Sequence, residues 1–451
     1  MRGIIRFTAL TAALIMLCST ACAAPEKFLG CLQEVHKVDS SYSDVTNANG
    51  SVVRTWSVKT AREDVDLELS DLVQDYVDDM GQDLPKAANK ADGNSRLDVE
   101  IRYQRTGTSW MSFMVQARKA YHREIVDQQI TTRVYDMENG RRITIADLFP
   151  SDSDAWDYIG NRVWDAVTTY FQDETPDPDK LAELCEPDSL AEMDFMLMGM
   201  SLVLYIPAAS FYPEHHTLMK VVIMYSDIRD WMNEDAKDQT DNLSYYKTVA
   251  LTFDDGPARI NTTRVLNTLL KHGAVATFFV IGNRVSSFQD LVQREHDAGN
   301  SVASHNWHHG DVRKSSASAL RAMPEKVNKV FQEAIGLDSP YDRVPYGLYV
   351  QMIDAKVGWS YIQWSIDTLD WEGKSVTTIV NTVRSEIKDG DIILCHDIKD
   401  NTADAAGMFI DVLVEHGYMF LTVDELFAKD GVQLEPDTVY YRCTEGDTSR
   451  K

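Results

Sequence analysis

Residues 246–430 alternate between short strand-like runs and amphipathic helical patterns, and this alternation constrains the fold more than any other feature. The strand-like runs are TVALTF, VATFFVIG, NSVASH, YIQWSID, DIILCHDI and YMFLTVDEL. Helical patterns such as TTRVLNTLLKHG and TTIVNTVRSEIKDG lie between most of them. Because parallel strands need crossover connections, which helices usually supply, the pattern predicts an α/β domain with a parallel sheet, open or closed into a barrel.

The residues before and after this region have different patterns. Residues 25–232 predict a smaller α+β domain, with a helix at LELSDLVQDYVDDM followed by alternating strand patterns. Asn139-Gly140, between two such patterns, indicates a β-hairpin. Residues 233–245 are polar and lack an apolar period, so they predict a linker, and residues 431–451 predict a C-terminal tail.

Length and charge limit the class of protein and of partner. A chain of 451 residues is too long for one ordinary core, which agrees with two domains. The formal net charge of −26 would repel a phosphate backbone, so nucleic acid is excluded as the main partner.

The first 24 residues have the pattern of a signal peptide. Arg2 and Arg6 flank an apolar run that is too short to span a bilayer, and small residues follow it. The chain is therefore predicted to be exported and to be extracellular or associated with the cell envelope. Cys22, in STAC, is a candidate site for a lipid anchor, but cleavage after Ala23 or Ala24 explains the same residues.

The cysteines and one histidine pair have no recognisable site pattern. Cys31, Cys185, Cys395 and Cys443 are too far apart for a disulfide scaffold and lack zinc spacing. Cys395 lies in an apolar strand pattern and is predicted to be a small core residue. His215 and His216 are adjacent and isolated in a loop, so they are predicted to be solvated and not to bind a metal.

Polar residues follow several strand-like runs of the α/β domain at the point where each run ends. In such folds, functional side chains gather at the carboxyl ends of the strands. The adjacent pair Asp254-Asp255 is unusual there, because each carboxylate raises the pKa of the other. His305 and His309 are four residues apart, which on a helix would place both imidazoles on one face.

The ordered motifs TFDDGP, HNWHH, RVPYG, DTLDW and LCH resemble those of the polysaccharide deacetylases of carbohydrate esterase family 4, also called the NodB homology domain. The resemblance covers about residues 245–430. It implies a distorted (β/α) barrel that removes acetyl groups from chitin-like, peptidoglycan or xylan chains. It also implies that Asp255, His305 and His309 bind a divalent metal, for which Zn²⁺ suits one carboxylate and two imidazoles.

The resemblance assigns the other motif residues as well. It implies that Asp254 is the general base and that Arg343 orients it. His396 is implied as the general acid, with Asp370 keeping it protonated. The implied substrate-binding groups are the backbone N–H of Tyr346 for the oxyanion and an acetyl pocket of Trp371 and Leu394. Asn306 stands where the family usually has Ser or Thr, and it is expected to make an equivalent hydrogen bond in the loop.

The first domain resembles the one that precedes the catalytic domain in some bacterial peptidoglycan deacetylases. A similar domain occurs in the extracellular part of lysozyme-sensing anti-sigma factors. The resemblance rests on TRVYDMENGRRITIADLF and YIPAASFYPEHHTLMKVVIMYSDI and implies docking to the cell wall. Together, the two domains favour an N-acetylated polysaccharide, peptidoglycan first, as substrate. The alternatives are a deacetylase of acetyl-xylan or chitin oligosaccharides, and a non-catalytic protein that binds the wall or lysozyme.

Overall fold

The structure, a computed structural model, describes residues 34–86, 95–122, 124–171, 174–444 and 447–450. The predicted signal peptide, Cys22 and Cys31 lie outside these ranges. No helix within them has the length and apolar character needed to cross a bilayer. We describe the chain as an N-terminal part, residues 34–245, and a C-terminal part, residues 246–450.

The N-terminal part is a mixed α+β structure. Its strands are β1 (Asp39–Thr46), β2 (Val52–Lys59), β3 (Ser95–Thr106), β4 (Trp110–Tyr121), β5 (Glu124–Asp136), β6 (Arg141–Ile143), β7 (Phe195–Leu197), β8 (Ser201–Pro207) and β9 (Leu218–Met224). Its helices are α1 (Glu63–Met80), α2 (Ile145–Leu148), α3 (Ala155–Tyr170), α4 (Pro178–Leu184), α5 (Pro187–Ala191), α6 (Tyr225–Ile228), α7 (Glu234–Gln239) and α8 (Asn242–Tyr245).

These strands form two sheets. The first has the order β1-β2-β3-β4-β5-β6, and the second has the order β7-β8-β9. Asn139-Gly140 makes the turn between β5 and β6, as predicted, and Gly140 has the positive φ of 77° that such a turn requires. Helix α1 buries one face on the first sheet, because its apolar residues recur at helical spacing.

The C-terminal part alternates strands and helices, as its pattern predicts. Its strands are β10 (Lys247–Asp254), β11 (Thr277–Val280), β12 (Ser301–Ser304), β13 (Tyr361–Ile362), β14 (Ile366–Asp367), β15 (Asp391–His396), β16 (Tyr418–Phe420), β17 (Val439–Thr444) and β18 (Asp447–Arg450). Its helices are α9 (Asn261–His272), α10 (Gly282–Val285), α11 (Gln289–Asp297), α12 (Ala317–Arg321), α13 (Met323–Ile335), α14 (Val350–Ala355), α15 (Val376–Glu386), α16 (Asp400–Glu415) and α17 (Val423–Ala428).

Parallel strands in the order β12-β11-β10-β15-β14 form the centre of this part, and β16 pairs with the start of β10. Single bridges from Ser304 to Asp342 and from Asp342 to Tyr361 continue the sheet from β12 towards β13. The result is the distorted (β/α) barrel implied by the resemblance. Cys395 is buried inside it, as predicted. The carboxyl ends of the parallel strands meet at one edge, which carries the candidate site.

The predicted linker is a folded part of the domain junction. Residues 233–245 contain α7 and α8, in which Gln239 and Asn242 are buried. The Gln239 side-chain oxygen accepts hydrogen bonds from two backbone N–H groups of the β3–β4 turn, and the Asn242 oxygen accepts one from Gly107 at 2.8 Å. These polar side chains satisfy turn N–H groups that would otherwise be buried without partners.

The predicted C-terminal tail is also part of the fold. Strand β17 pairs in parallel with β13, with Val439 opposite Tyr361, and β18 folds back on β17. Val439 and Tyr440 are buried, so this segment completes the sheet where β13 would otherwise be an open edge.

The N-terminal part packs on helix α11 of the barrel. Arg294, Glu295, His296 and Asp297 on this helix are all buried. Arg294 donates to the buried Glu100 of β3 at 2.6 Å, and Arg118 of β4 forms a second ion pair with the same carboxylate. One hydrophobic cluster also contains side chains of both parts, for example Met196 and Val292. The two parts therefore share a buried interface.

The first prediction concerns this interface. Glu100→Gln leaves Arg118 and Arg294 buried without their carboxylate, so we expect the free energy of unfolding to fall by about 3–5 kcal/mol. Equilibrium urea unfolding measures this loss. Glu63→Gln, at the exposed start of α1, is the matched control and should change stability by less than about 0.5 kcal/mol. A loss below about 1 kcal/mol for Glu100→Gln would show that the ion pairs do not hold the interface together.

Candidate metal centre and active site

Strand β10 carries the paired aspartates to the edge of the sheet. Asp254 is its last residue and is buried, whereas Asp255 begins the next turn with a positive φ of 74°. A positive φ is uncommon for a residue other than glycine, so the surrounding contacts must hold it. The Arg284 guanidinium approaches the Asp255 carbonyl at 3.4 Å, and Ile281 N–H donates to the Gly256 carbonyl at 3.0 Å.

The two histidines reach the same place by a different route from the predicted one. His305 and His309 lie on a loop after β12 and not on a helix. Asn306, with φ 61°, turns the chain between them, and the ring centroids are 5.3 Å apart. His308 is exposed and is not part of this group.

Asp255, His305 and His309 form a group that fits a divalent metal. One ligand atom from each residue lies within 4.8 Å of the others. The Nε2 atoms of His305 and His309 are 3.4 and 3.3 Å from Oδ1 of Asp255. That carboxylate oxygen is buried and has no hydrogen-bond donor among the described residues. A buried oxygen without a partner, facing two imidazole nitrogens, is the environment that a bound cation satisfies.

The partners of the two imidazoles leave the same atom of each ring free for a metal. Nδ1 of His305 donates to the Arg343 carbonyl at 2.5 Å. Nδ1 of His309 lies 3.1 Å from the Tyr346 hydroxyl, whose oxygen can accept a hydrogen bond from it. With the proton on Nδ1, Nε2 presents its lone pair to the group, as a metal ligand must.

Arg343 fixes the position of Asp254. The guanidinium is fully buried and donates to Oδ1 of Asp254 at 2.8 Å. It also donates to the Thr252 hydroxyl at 2.7 Å and to the carbonyls of Ile362 and Gln363 at 3.0 Å. Because four hydrogen bonds fix the guanidinium, the Asp254 carboxylate that it contacts is held in place beside the metal group.

His396 and Asp370 form the second acid–base pair. His396 is the in-register partner of Asp254 on the neighbouring strand β15. Asp370 is fully buried and accepts from His396 Nδ1 at 2.8 Å and from its backbone N–H at 2.7 Å. Burial lowers the pKa of His396, but the hydrogen bond to Asp370 and its charge outweigh burial and raise the pKa to about 9. The imidazole is therefore protonated at neutral pH, and its Nε2–H points away from Asp370.

The predicted substrate-binding residues surround this group. Tyr346 has a positive φ of 60°, and its N–H has no hydrogen-bond acceptor among the described residues. Leu394 is buried on β15, two residues before His396, so it faces the same side of the strand. Trp371 is 50% exposed beside the edge, and Tyr346 is 66% exposed. The acetyl pocket of Leu394 and Trp371 stays a prediction.

One expectation for the histidine loop is wrong. Both side-chain polar atoms of Asn306 are buried and have no partner within the described part of the chain. Its backbone N–H donates instead to the Ser304 hydroxyl and to Oδ1 of Asp342, each at 3.0 Å. Asparagine suits this position because it tolerates a left-handed backbone better than most residues.

Comparisons with known proteins identify the family of the chain. The family model described as polysaccharide deacetylase matches residues 244–358. A peptidoglycan-N-acetylglucosamine deacetylase of Bacillus cereus is 31% identical over 189 residues, which are 40% of this chain and 68% of that protein. The chain belongs to the polysaccharide deacetylase family.

Two further relatives match a similar share of the chain. The peptidoglycan-N-acetylglucosamine deacetylase PgdA of Listeria monocytogenes is 36% identical over 199 residues, or 44% of this chain. The match covers 42% of the Listeria protein, which is less than half its length. A solved family 4 acetyl xylan esterase from Clostridium thermocellum, in complex with cobalt, is 30% identical with a TM-score of 0.40. It covers 44% of this chain and 98% of its own.

Several residues that support this site carried no signal in the sequence. Thr402 donates to the Asp370 carboxylate, and Asn401 donates to the Asp370 carbonyl at 3.0 Å. Asp342 accepts from Ser304 and holds the histidine loop. These residues are distant in sequence from the groups they support, and residues of the same types are common in solvated loops. Only the three-dimensional structure identifies them.

Proposed function

We propose that the protein is a metal-dependent deacetylase that hydrolyses N-acetyl groups of an envelope glycan, with peptidoglycan favoured. The observation that carries the proposal is the placement of Asp254 and His396. They are in-register partners on adjacent strands, next to the group formed by Asp255, His305 and His309. A base and an acid on one edge, beside a metal-ligand group, suit amide hydrolysis.

Asp255, His305 and His309 would hold the metal, and Zn²⁺ fits one carboxylate and two imidazoles. When bound, the metal lowers the pKa of water and polarises a carbonyl. This chain's own residues handle the protons. Asp254, oriented by Arg343, accepts a proton from the attacking water. His396, kept protonated by Asp370, donates a proton to the leaving amine.

Tyr346 supplies a hydrogen-bond donor of the kind that acyl transfer needs. Its backbone N–H is free of an internal acceptor, so it can donate to the oxygen on which negative charge develops. Tyr346 also holds His309, so one turn connects the proposed oxyanion donor to a metal ligand. Leu394 and the exposed Trp371 are proposed to receive the acetyl methyl group and the sugar.

The substrate class follows from sequence relatives and from the proposed location of the protein. The relatives of Listeria and Bacillus cereus are named as deacetylases of peptidoglycan N-acetylglucosamine. Export by the predicted signal peptide, with or without a lipid on Cys22, would bring the site to the cell wall, where the N-terminal part could dock. An O-acetyl ester of xylan passes through a similar oxyanion, so the site residues do not separate these substrates.

Acetate release from defined glycans tests the proposal. The full chain without residues 1–24 would be incubated with peptidoglycan, chitin oligosaccharides or acetylated xylan, each with Zn²⁺ or with a chelator. We expect release from peptidoglycan that the chelator abolishes, because the ligand group fits a cation.

Two histidine variants give a matched comparison. His305→Ala removes a metal ligand and should lower release by at least about 100-fold. His308→Ala, at the exposed neighbour in the same loop, should retain it. No release from any glycan by a folded, metal-loaded protein would overturn the proposal and favour a non-catalytic wall-binding protein. Release from xylan alone would replace the substrate.

A further inference from the structure

A second cavity lies between the N-terminal part and the barrel, outside the site described above. Its volume is about 630 Å³, which is large enough for a short oligosaccharide or a drug-sized ligand. Residues near β5, near the end of α3 and in the loop before β9 line one side. Helix α11 and the end of α13 line the other. Close packing joins the two sides, because the Tyr170 ring lies against Gly336, where even a Cβ atom would not fit.

The side chains around this cavity carry negative charge. Four carboxylates line it: Glu124, Glu174, Glu214 and Glu333. Among the described lining residues there is no lysine or arginine. His215, from the pair noted in the sequence, lies 3.3 Å from Glu174, and His216 lines the same cavity. A cavity with this lining favours a cationic ligand over an anionic one.

One buried amide independently indicates that a polar ligand belongs there. Gln293 of α11 is only 8% exposed and lines the cavity. Its side chain makes no hydrogen bond to any described residue. Its amide atoms are not fully enclosed, so they open onto the cavity, and an amide without a protein partner normally bonds water or a ligand there. The two other glutamines of the cavity differ in this respect, since Gln289 donates to the Glu333 carbonyl and Gln332 donates to Asp338.

We propose that this cavity binds a sugar with a primary amino group, the deacetylated glycan that the proposed reaction produces. The carboxylates match a protonated amine, and the amide of Gln293 matches a sugar hydroxyl, which can both donate and accept. The identity of the ligand rests on the proposed function, because only deacetylation turns a neutral N-acetyl group into a cation. The cavity would hold a product strand against the junction of the two parts.

Calorimetric titration with two tetrasaccharides tests this proposal. One is a tetramer of glucosamine, and the other is its fully N-acetylated form. Both are added to the full chain without residues 1–24, in chelator, at about pH 6, where the amines are protonated. We expect the amino tetramer to bind the wild-type protein at least about tenfold more tightly. Glu174→Gln combined with Glu214→Gln should weaken its binding by about tenfold or more. Gln293→Leu should weaken it by about three- to tenfold.

A matched pair of charge variants controls for the high net charge of the protein. Glu63→Gln combined with Glu386→Gln removes the same charge at exposed positions on α1 and α15 and should leave binding unchanged. Equal loss in both double variants, or no loss in the cavity variants, would overturn the proposal. Acetate release by the same proteins is measured separately. If the proposed function is wrong, the wild-type protein will release no acetate. If this inference is wrong, the cavity variants will bind the amino tetramer as the wild type does.

Discussion

Asp254→Asn is expected to lower kcat for acetate release by about 10³-fold, because a positioned general base contributes about 10²- to 10⁴-fold. The amide cannot accept the proton of the attacking water. Its size is unchanged, and Asp254 is outside the proposed ligand set, so the metal should still bind. Acetate release and metal content, measured on the same preparation, check both statements.

Stability has to be measured with this variant, because Arg343 loses its carboxylate partner. Arg343 is fully buried, so we expect the free energy of unfolding to fall by about 3 kcal/mol. Arg343 keeps its hydrogen bonds to Thr252 and to two backbone carbonyls, which limits the loss. A folded, metal-loaded Asp254→Asn protein with activity within tenfold of wild type would show that another group activates the water.

Asp370→Asn is expected to move the upper limb of the pH profile of kcat from near pH 9 towards pH 6.5. The acid must be protonated to act, so activity is present below the pKa of His396 and is lost above it. Asp370 raises that pKa to about 9 against the effect of burial. Without the Asp370 carboxylate, burial lowers the pKa of His396 and only the charges of Asp254 and Asp255 still raise it, so the pKa falls towards its ordinary 6.5. At pH 7.5, kcat should therefore fall by up to about tenfold and partly recover at lower pH.

Thr402→Val is the matched control for this pH profile. Thr402 donates to the same Asp370 carboxylate, and its removal leaves the charge in place. The upper limb should therefore stay close to pH 9. A profile that is lower at every pH for Asp370→Asn, with the limb unmoved, would mean that Asp370 only supports the local structure and does not set the pKa of His396.

The sequence predicted the composition of the site because the chemistry is concentrated at strand ends. The apolar runs of β10 and β15 are easy to recognise, and the polar residues after them stand out against the buried strands. Parallel pairing then brings Asp254 and His396 together, although they are far apart along the chain. The same logic holds for His305 after β12. Spacing was a poorer guide within loops, where the positive φ of Asn306 and not a helical turn joins the two histidines.

The junction of the two parts was not predictable from local patterns. Residues 233–245 have the polar composition of a solvated segment. Their polar side chains are nevertheless buried, because they bind backbone groups about 130 residues earlier in the chain. Helix α11 presents a similar difficulty, since QREHD reads as a surface sequence and yet is buried under the N-terminal sheet. Burial of charge depends on partners such as Glu100, and periodicity carries no information about distant partners.

The burial of α11 also determines how the proposed active site would approach an insoluble glycan. A catalytic domain on a flexible tether would swivel and sample glycan strands at many angles and distances. Here, the helix that is clamped by Glu100 follows directly after the segment that supports the Asp255 turn. If the N-terminal part binds a surface, the edge of the sheet that carries the site would be held at a fixed distance and orientation from that surface. Only glycan strands that lie at that distance would be modified. The spacing of modified sugars would then depend on the geometry of the wall more than on motion of the catalytic domain.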